Sequence, residues 1–200
     1  MLWQLLAGGE LELRDGFISS EESPALFEQL RAGVPWQTRS IRIAGRLIPE
    51  PRLTAWVGDA EAAYTYSGRR NEPTPWSATT PALPALRNRV SEAVGAPFNA
   101  VLCNLYAHGL HSMGLHADAE PELGPNPCIA SLSFGATRRF QLRHRKLRDE
   151  KLDLDLTSGS LLIMRGTLQT HYRHGVPKQP SIQGVHAARI NLTFRHIVAS

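Results

Sequence analysis

Two segments in the first half of the chain repeat apolar residues every three or four positions, the spacing of one helix face. The first begins after Ser19, which with Glu22 has the spacing of a capping box, and it ends at Gly33. The second spans about 82–94 and is followed by Gly95, a residue type that commonly ends helices. The apolar faces consist of Leu26, Phe27 and Leu30, and of Leu83, Leu86, Val90 and Val94. We predict two helices that pack against a sheet.

Short apolar or alternating runs follow one another after residue 98, and this pattern predicts strands. The expected strands are 99–106, 128–134, 137–144, 152–156, 160–165 and 189–197. Between the two helices, residues of about 36–80 form an irregular, aromatic-rich region with one short hairpin around Ala44 and Gly45. Helices first and short strands later indicate a mainly β fold with flanking α-helices, a jelly-roll barrel with N-terminal helical support.

The length of 200 residues and the hydrophobic content of 42% fit one domain with a sizeable core. The net charge of +4 and the pI near 9.4 suit a polyanionic partner without identifying one. Cys103 and Cys128 lie in apolar runs, so we expect buried, reduced thiols and a reducing cytoplasm. No apolar run approaches the ~18–20 residues of a membrane span, and the N-terminus lacks signal-peptide features. We expect a soluble, cytoplasmic monomer.

Candidate metal ligands are His116 and Asp118, two residues apart, and His174 far downstream. In a strand, residues i and i+2 point to the same side, so His116 and Asp118 can reach one metal ion. Two imidazoles and one carboxylate form the facial triad of non-haem Fe(II) sites, which leaves positions open for oxygen and a co-substrate. The same ligand types bind zinc in hydrolases, where the metal can only activate water.

Arg189 and Arg195 lie six residues apart in an alternating, strand-like run. This even spacing places both side chains on one face of a strand. Two cations on a buried face require an anion. A dicarboxylic acid such as 2-oxoglutarate would supply one carboxylate to each arginine, which favours iron over zinc at the triad.

Several stretches along the chain carry a family resemblance. They are 51–56 (Pro-Arg-Leu-Thr-Ala-Trp), 64–67, 104–106, 113–120 (Met-Gly-Leu-His-Ala-Asp-Ala-Glu), 129–135, 159–164, 174–178 (His-Gly-Val-Pro-Lys) and 189–195. The chain resembles the AlkB family of Fe(II)/2-oxoglutarate dioxygenases, which oxidatively dealkylate nucleic acids, over roughly residues 15–198. It is most similar to the branch of animal homologues that repair alkylated single strands. The resemblance implies a double-stranded β-helix with the metal in its mouth.

The resemblance implies that His116, Asp118 and His174 bind Fe(II). His171 is a competing ligand, but the family pattern puts the ligand directly before the Gly-Val-Pro step, which favours His174. The other histidines are expected to be solvated or structural. They are His108, His111, His144, His186 and His196.

The resemblance also implies a set of residues around 2-oxoglutarate. They are Asn104, Tyr106, Arg189, Asn191, Thr193 and Arg195. Arg195 is expected to form a bidentate pair with the distal carboxylate of 2-oxoglutarate. Arg189 is expected at the end near the metal, where it could also brace Asp118. Asn191 and Thr193 are expected as supporting hydrogen-bond donors.

Substrate selection is expected in a lid of about 36–80 that precedes the jelly-roll core of about 99–198, within a single domain of residues 1–200. A damaged base must leave its stack to reach a buried metal, and it then needs flat and polar side chains around it. Trp56 and Tyr64 are candidates for stacking, and Glu120 is the candidate polar reader. Ordinary packing is an equally good explanation of either aromatic residue.

Two departures from the family bear on the substrate. Ala119 stands where many relatives carry a charged residue, so a contact of that kind is absent. Relatives that act on duplex DNA carry a bulky wedge at the hairpin tip, where this chain has Ala44 and Gly45. We therefore expect a single-stranded substrate, DNA or RNA.

The expected reaction is oxidative demethylation of N-alkylated bases with Fe(II), O2 and 2-oxoglutarate, which releases formaldehyde, succinate and CO2. The same oxygenase chemistry on a protein or small molecule is an alternative, and a catalytically silent nucleic-acid-binding module is a more distant one. The basic run 138–148 fits either phosphate contact or a solvated strand edge.

Overall fold

The computed structural model describes residues 1–43, 46–66 and 69–198, without the side chains of residues 7, 41–47 and 64–71. The predicted hairpin tip, Ala44 and Gly45, therefore lies outside the described residues, as does the side chain of Tyr64. No helix within the described ranges is long and apolar enough to cross a membrane.

The chain forms fourteen strands and three α-helices in its described part. The strands are β1 Leu2–Gln4, β2 Gly9–Arg14, β3 Gln37–Ile43, β4 Arg46–Gly58, β5 Tyr64–Tyr66, β6 Arg69–Asn71, β7 Ala100–Tyr106, β8 Met113–His116, β9 Ile129–Gly135, β10 Arg138–His144, β11 Lys151–Leu156, β12 Leu161–Gly166, β13 Tyr172–Val176 and β14 Arg189–Arg195. The helices are α1 Ser23–Gly33, α2 Ala82–Val94 and α3 Leu168–His171.

Two antiparallel sheets form the body of the fold. The larger sheet has the strand order β1-β2-β12-β9-β14-β7-β4-β3, and the smaller sheet has the order β11-β10-β13-β8. Leu11, Leu162 and Met164 of the larger sheet pack with Phe140 and Leu142 of the smaller one. The two sheets therefore face each other, and the predicted mainly β jelly roll is confirmed.

The helices α1 and α2 cover the other face of the larger sheet. Leu30 and Leu83 join a buried cluster that contains Ile190, Leu192 and Phe194 of β14. Because side chains alternate along a strand, the polar residues between these three point toward the smaller sheet. All seven residues of β14 are buried, so the space between the sheets contains a row of buried polar groups.

The two predicted helices are confirmed. Helix α2 has the predicted bounds, and Gly95 after it takes the left-handed conformation, with φ of 70°. Helix α1 ends at Gly33 as expected but begins at Ser23, since Ser19 forms a turn before the helix and its Oγ accepts a hydrogen bond from the Glu22 N–H at 3.1 Å.

The prediction of an irregular region at 36–80 is wrong for its first half. Strand β4 pairs with β7 from Leu53 to Gly58 and with β3 along most of its length. Proline is rare inside sheets, and Pro49 and Pro51 both precede the stretch that pairs with β7. There the strand has a neighbour on one side only, a position that tolerates proline.

Candidate metal and co-substrate site

The structure brings His116, Asp118 and His174 together. His116 ends β8 and lies directly opposite His174 of β13 in the strand register. His116 Nε2 is 3.6 Å from Asp118 Oδ1, and His174 Nε2 is 3.9 Å from Asp118 Oδ2. One ligand atom from each of the three residues lies within 4.8 Å of the others. His171 is elsewhere, in α3, where its ring stacks on His144, so the choice of His174 agrees with the geometry.

The charges around the triad suit a bound cation. Burial would raise the pKa of Asp118, but Arg195 and the two histidines outweigh it and hold that pKa well below its usual range. Burial, together with the charges of His116 and Arg195, lowers the pKa of His174 to about 3. The carboxylate is thus charged and this imidazole is neutral, the protonation states that metal ligands need.

Two further details fit a metal ion at this position. His116 Nδ1 lies 3.0 Å from the Gly114 carbonyl oxygen, so an N–H there would donate to the backbone and leave Nε2 free as a ligand. Asp118 Oδ2 is buried and has no hydrogen-bond partner among the described residues. A buried carboxylate oxygen of this kind requires a positive partner, and a metal ion would provide one.

Gln169 was not predicted from the sequence, yet it holds the triad in place. Its side chain is 3% exposed, and its Oε1 accepts a hydrogen bond from the Asp118 backbone N–H at 2.9 Å. Gln169 belongs to α3, which leads directly into β13 and His174. It therefore connects the two chain segments that carry the ligands.

A cavity extends from the triad between the two sheets. It is lined by Leu102, Asn104, Tyr106, Met113, His116, Asp118, Ser131, Phe140, Met164, His174, Gly175, Val176, Arg189, Asn191, Thr193 and Arg195. All six residues expected to contact the co-substrate are in this set. Within it, Asn191 Nδ2 donates to Ser131 Oγ at 2.7 Å, and Thr193 Oγ1 donates to Asn191 Oδ1 at 3.0 Å.

The structure contradicts the expectation that Arg189 braces Asp118. Arg195, not Arg189, braces the metal ligand, because its Nη2 donates to Asp118 Oδ1 at 2.8 Å. Arg189 lies at the opposite end of β14, where its Nη2 donates to Ser133 Oγ at 2.9 Å. Its Nε and Nη1 are buried without a hydrogen-bond partner in the described part of the chain. Arg189 is therefore the arginine with donors available for a distal carboxylate.

Asn104 has a partner that the sequence did not suggest. Arg52 Nε donates to Asn104 Oδ1 at 2.8 Å, and Arg52 Nη2 lies 2.8 Å from Glu50 Oε2. Because Arg52 can only donate, this contact fixes the amide so that the Asn104 NH2 group is the donor left for the cavity. Within the motif Pro-Arg-Leu-Thr-Ala-Trp, the residue that contacts the site is Arg52 and not Trp56.

Of the residues predicted to contact the substrate, Trp56 is buried in the core and Glu120 lies near the triad. Trp56 is 2% exposed, packs with Leu102 and Leu123, and donates from Nε1 to the Ala62 carbonyl at 3.0 Å. It offers no open ring face, so a stacking role for Trp56 does not agree with the structure. Glu120 is half-buried close to Asp118, and burial raises the pKa of its carboxyl group.

The basic run 138–148 is partly neutralised within its own sheet. Arg139 pairs with Asp155 at 2.8 Å and Arg143 with Asp153 at 2.5 Å. Lys146 and Arg148 are exposed in the turn between β10 and β11. These ion pairs leave less positive charge on β10 for phosphate contact, but β10 pairs with both β11 and β13, so it is not the expected strand edge.

Comparisons with known proteins agree with this geometry. The model of the 2OG-Fe(II) oxygenase superfamily matches residues 10–195. The chain is 42% identical to human alpha-ketoglutarate-dependent dioxygenase alkB homolog 3 over 194 residues, which cover 92% of this chain. It spans about 65% of the length of that relative. It is 37% identical to human DNA oxidative demethylase ALKBH2 over 187 residues, 88% of this chain and 69% of that protein.

A solved structure supports the same fold. The protein in "The structure of OsALKBH1" superposes with a TM-score of 0.65 at 19% identity, over 93% of this chain and 97% of that chain. At this identity the likeness concerns the fold alone. The matching family model and the two relatives show the family. The chain belongs to the 2OG-Fe(II) oxygenase superfamily and, within it, to the AlkB family.

Proposed function

We propose that the protein is an Fe(II)- and 2-oxoglutarate-dependent dioxygenase that demethylates N-alkylated bases in nucleic acid. The observation that carries this proposal is one cavity with two unlike ends. The triad of His116, Asp118 and His174 suits a metal ion, and Arg189 with its unpaired donors suits a carboxylate. The names of the relatives, a dioxygenase and a DNA oxidative demethylase, support the same reaction and substrate class.

In this proposal the residues of the cavity bind and orient the reactants. His116, Asp118 and His174 hold Fe(II), and Arg195 keeps Asp118 charged and oriented. Arg189 takes the distal carboxylate. Asn104 and Tyr106 of β7 are the proposed donors to the co-substrate. Asn191 and Thr193 of β14 line the site and are held by their own hydrogen bonds. When bound, Fe(II) and 2-oxoglutarate supply oxidation by O2, which yields succinate, CO2 and, from an N-methyl group, formaldehyde.

The substrate is proposed to be a methylated base in single-stranded DNA or RNA. Glu120 supports recognition of a base edge, because it lies two residues after Asp118 and its buried Oε2 has no hydrogen-bond partner in the described ranges. The small residues Ala44 and Gly45 at the hairpin tip support single strands, since neither can fill the space left by a flipped base. Tyr64 remains a candidate for stacking. The net positive charge of +4 also suits nucleic acid.

The cellular setting and assembly are likewise proposals. Cys103 and Cys128 are both free thiols, which supports a reducing compartment such as the cytoplasm. We take the working unit to be a monomer, because a single chain supplies all three candidate metal ligands.

The test is the release of formaldehyde and succinate from a panel of methylated oligonucleotides, single-stranded and duplex. We expect release that requires Fe(II), 2-oxoglutarate and O2, with single strands preferred. Asp118→Ala should abolish it. His171→Ala should not, because His171 precedes His174 by three residues in the chain but lies outside the triad. Succinate formation without any response to oligonucleotides would favour the alternative of a protein or small-molecule substrate. Oligonucleotide binding with no succinate under any condition would favour a catalytically silent module.

A further inference from the structure

Arg138, at the start of β10, is a buried cation whose role the site described above does not explain. Its side chain is 0% exposed, and no carboxylate of the described residues lies within salt-bridge distance. Its Nη2 donates at 2.8 Å to the carbonyl oxygens of both His111 and Pro177, and its Nε donates at 3.1 Å to Gln179 Oε1. The guanidinium is thus solvated by neutral oxygens and keeps its charge uncompensated.

The acceptors of Arg138 belong to two loops that connect the strands of the site. His111 lies between β7 and β8, and Pro177 and Gln179 lie between β13 and β14. The loops also touch directly, because Gln179 N–H donates to the Gly109 carbonyl at 2.8 Å. Arg138 therefore joins the ends of four strands that carry candidate ligands.

The uncompensated charge of Arg138 lies at the co-substrate end of the cavity. Its guanidinium carbon is 5.6 Å from the centre of the Tyr106 ring, and that of Arg189 is 5.3 Å from the same ring. Two buried guanidinium groups thus share one aromatic neighbour, and each cation attracts the electron-rich ring. Like charges in a buried site repel each other, which costs stability unless an anion binds near them.

We propose that Arg138 is a positioning residue for the co-substrate, which fixes Tyr106 and adds a second positive charge that favours a dicarboxylate over a monocarboxylate 2-oxo acid. This inference rests on the proposed function, because it assumes that a 2-oxo acid occupies the cavity. Arg138 does not line the cavity itself, so it acts through Tyr106 and through its electric field. A purely structural clamp between the two loops would instead support both kinds of acid equally.

Calorimetry on the Mn(II)-loaded protein separates these two roles without any turnover. The probes are 2-oxoglutarate and 2-oxopentanoate, which has the same five-carbon chain without the distal carboxylate. Arg138→Met removes the positive charge. Gln179→Leu removes one of the hydrogen bonds that join the loops but keeps the charge of Arg138. Arg139→Met is the matched control, because Arg139 is the next residue of β10 but is exposed and paired with Asp155.

We expect Arg138→Met to weaken 2-oxoglutarate binding about tenfold, the order of magnitude for losing one buried charge that does not touch the ligand. Binding of 2-oxopentanoate should change less than about twofold, which corresponds to about 0.4 kcal/mol. Gln179→Leu and Arg139→Met should leave the ratio of the two affinities unchanged. Equal weakening of both acids, or no weakening of either, would overturn the inference.

Arg138→Lys keeps the inference testable if Arg138→Met does not fold. It retains the charge but loses the planar fork that joins the loops. We expect a lower melting temperature with an unchanged preference for 2-oxoglutarate over 2-oxopentanoate, and a lost preference would contradict the proposal. If the unmodified protein binds no 2-oxoglutarate with Mn(II), the proposed function itself fails. If the unmodified protein binds 2-oxoglutarate and Arg138→Met binds it with the same affinity, only this inference fails.

Discussion

The two ends of the cavity differ in whether their buried charge has a partner in the protein. At the metal end, Asp118 is surrounded by His116, His174 and Arg195, which lower its pKa and keep its carboxylate ionised. At the other end, Arg189 meets a hydroxyl and an aromatic ring, and no carboxylate in the described part of the chain forms an ion pair with it. One end is thus ready for a cation and the other for an anion.

The difference arises from strand register, because both arginines belong to β14. Arg195 lies opposite Ala100, at the end of β14 that contacts Asp118, which follows β8 of the smaller sheet. Arg189 lies opposite Tyr106 at the other end. Burial lowers the pKa of Arg189 to about 10, so the side chain remains charged at neutral pH. A buried charge without a counterion is costly, and a bound carboxylate would relieve that cost.

The largest expected effect comes from removing the metal end. His116→Ala, Asp118→Ala or His174→Ala should abolish 2-oxoglutarate turnover, because each removes one of three ligands. The measurement is succinate formation, together with thermal unfolding in the presence of Mn(II). His171→Ala is the control and should retain both turnover and stabilisation by the metal. Loss of stabilisation in His171→Ala with full retention in His174→Ala would contradict the ligand assignment.

The next effect distinguishes the two arginines. Arg189→Lys keeps the charge but loses the guanidinium fork, so the half-saturating concentration of 2-oxoglutarate should rise roughly thirtyfold, as expected for charged hydrogen bonds worth about 2 kcal/mol. The assay is succinate formation against 2-oxoglutarate concentration.

Arg195→Lys is the comparison for that experiment. It should mainly weaken metal binding, since Arg195 holds Asp118. If Arg195→Lys raised the half-saturating concentration and Arg189→Lys did not, the order first expected from the sequence would be correct.

A smaller effect is expected at Gln169, which supports the metal end from behind. Gln169→Met keeps the size of the side chain but removes the acceptor of the Asp118 N–H. Mn(II) binding should weaken about tenfold, in the range observed for residues that orient metal ligands. Thr170→Val, at the exposed neighbour in α3, is the control. Unchanged Mn(II) affinity in Gln169→Met would show that Asp118 does not need this bond.

The smallest effect lies outside the cavity, at the hairpin tip. The unmodified protein should repair a methylated base faster in a single strand than in a duplex, because Ala44 cannot replace the flipped base in the stack. Ala44→Phe should reduce the free-energy difference between repair of the duplex and of the single strand by about 1 kcal/mol. This is part of the few kcal/mol that unstacking a base costs. The comparison uses formaldehyde release with one sequence, one lesion and equal salt. Equal or faster repair of the duplex by the unmodified protein would exclude this role for the hairpin.

Local features of the structure could be predicted from the sequence. Helix α2 has its predicted bounds because its apolar face and Gly95 are local signals. The alternation in β14 likewise predicted which of its residues face the cavity. The triad was also predictable, but only through the family pattern that distinguishes His174 from His171.

Features that depend on distant contacts could not be predicted. The order of the arginines follows from where Asp118 meets β14, a contact between residues 77 positions apart in the chain. Trp56 was assigned to an aromatic-rich lid, whereas pairing of β4 with β7 places it in the core. Gln169 belongs to no motif found in the sequence, and the motif that contains Arg52 does not indicate its contact with Asn104. Both roles are visible only when the sheets are assembled.

The central claim is that one end of the cavity binds a metal ion and the other binds a carboxylate. The most direct test is calorimetric titration of 2-oxoglutarate and 2-oxopentanoate, with and without Mn(II), into the unmodified protein, Asp118→Ala and Arg189→Met. We expect Mn(II) to strengthen binding of both acids except in Asp118→Ala, and the preference for 2-oxoglutarate to disappear only in Arg189→Met. Equal weakening of both acids by Arg189→Met, or an undiminished effect of Mn(II) in Asp118→Ala, would contradict the account.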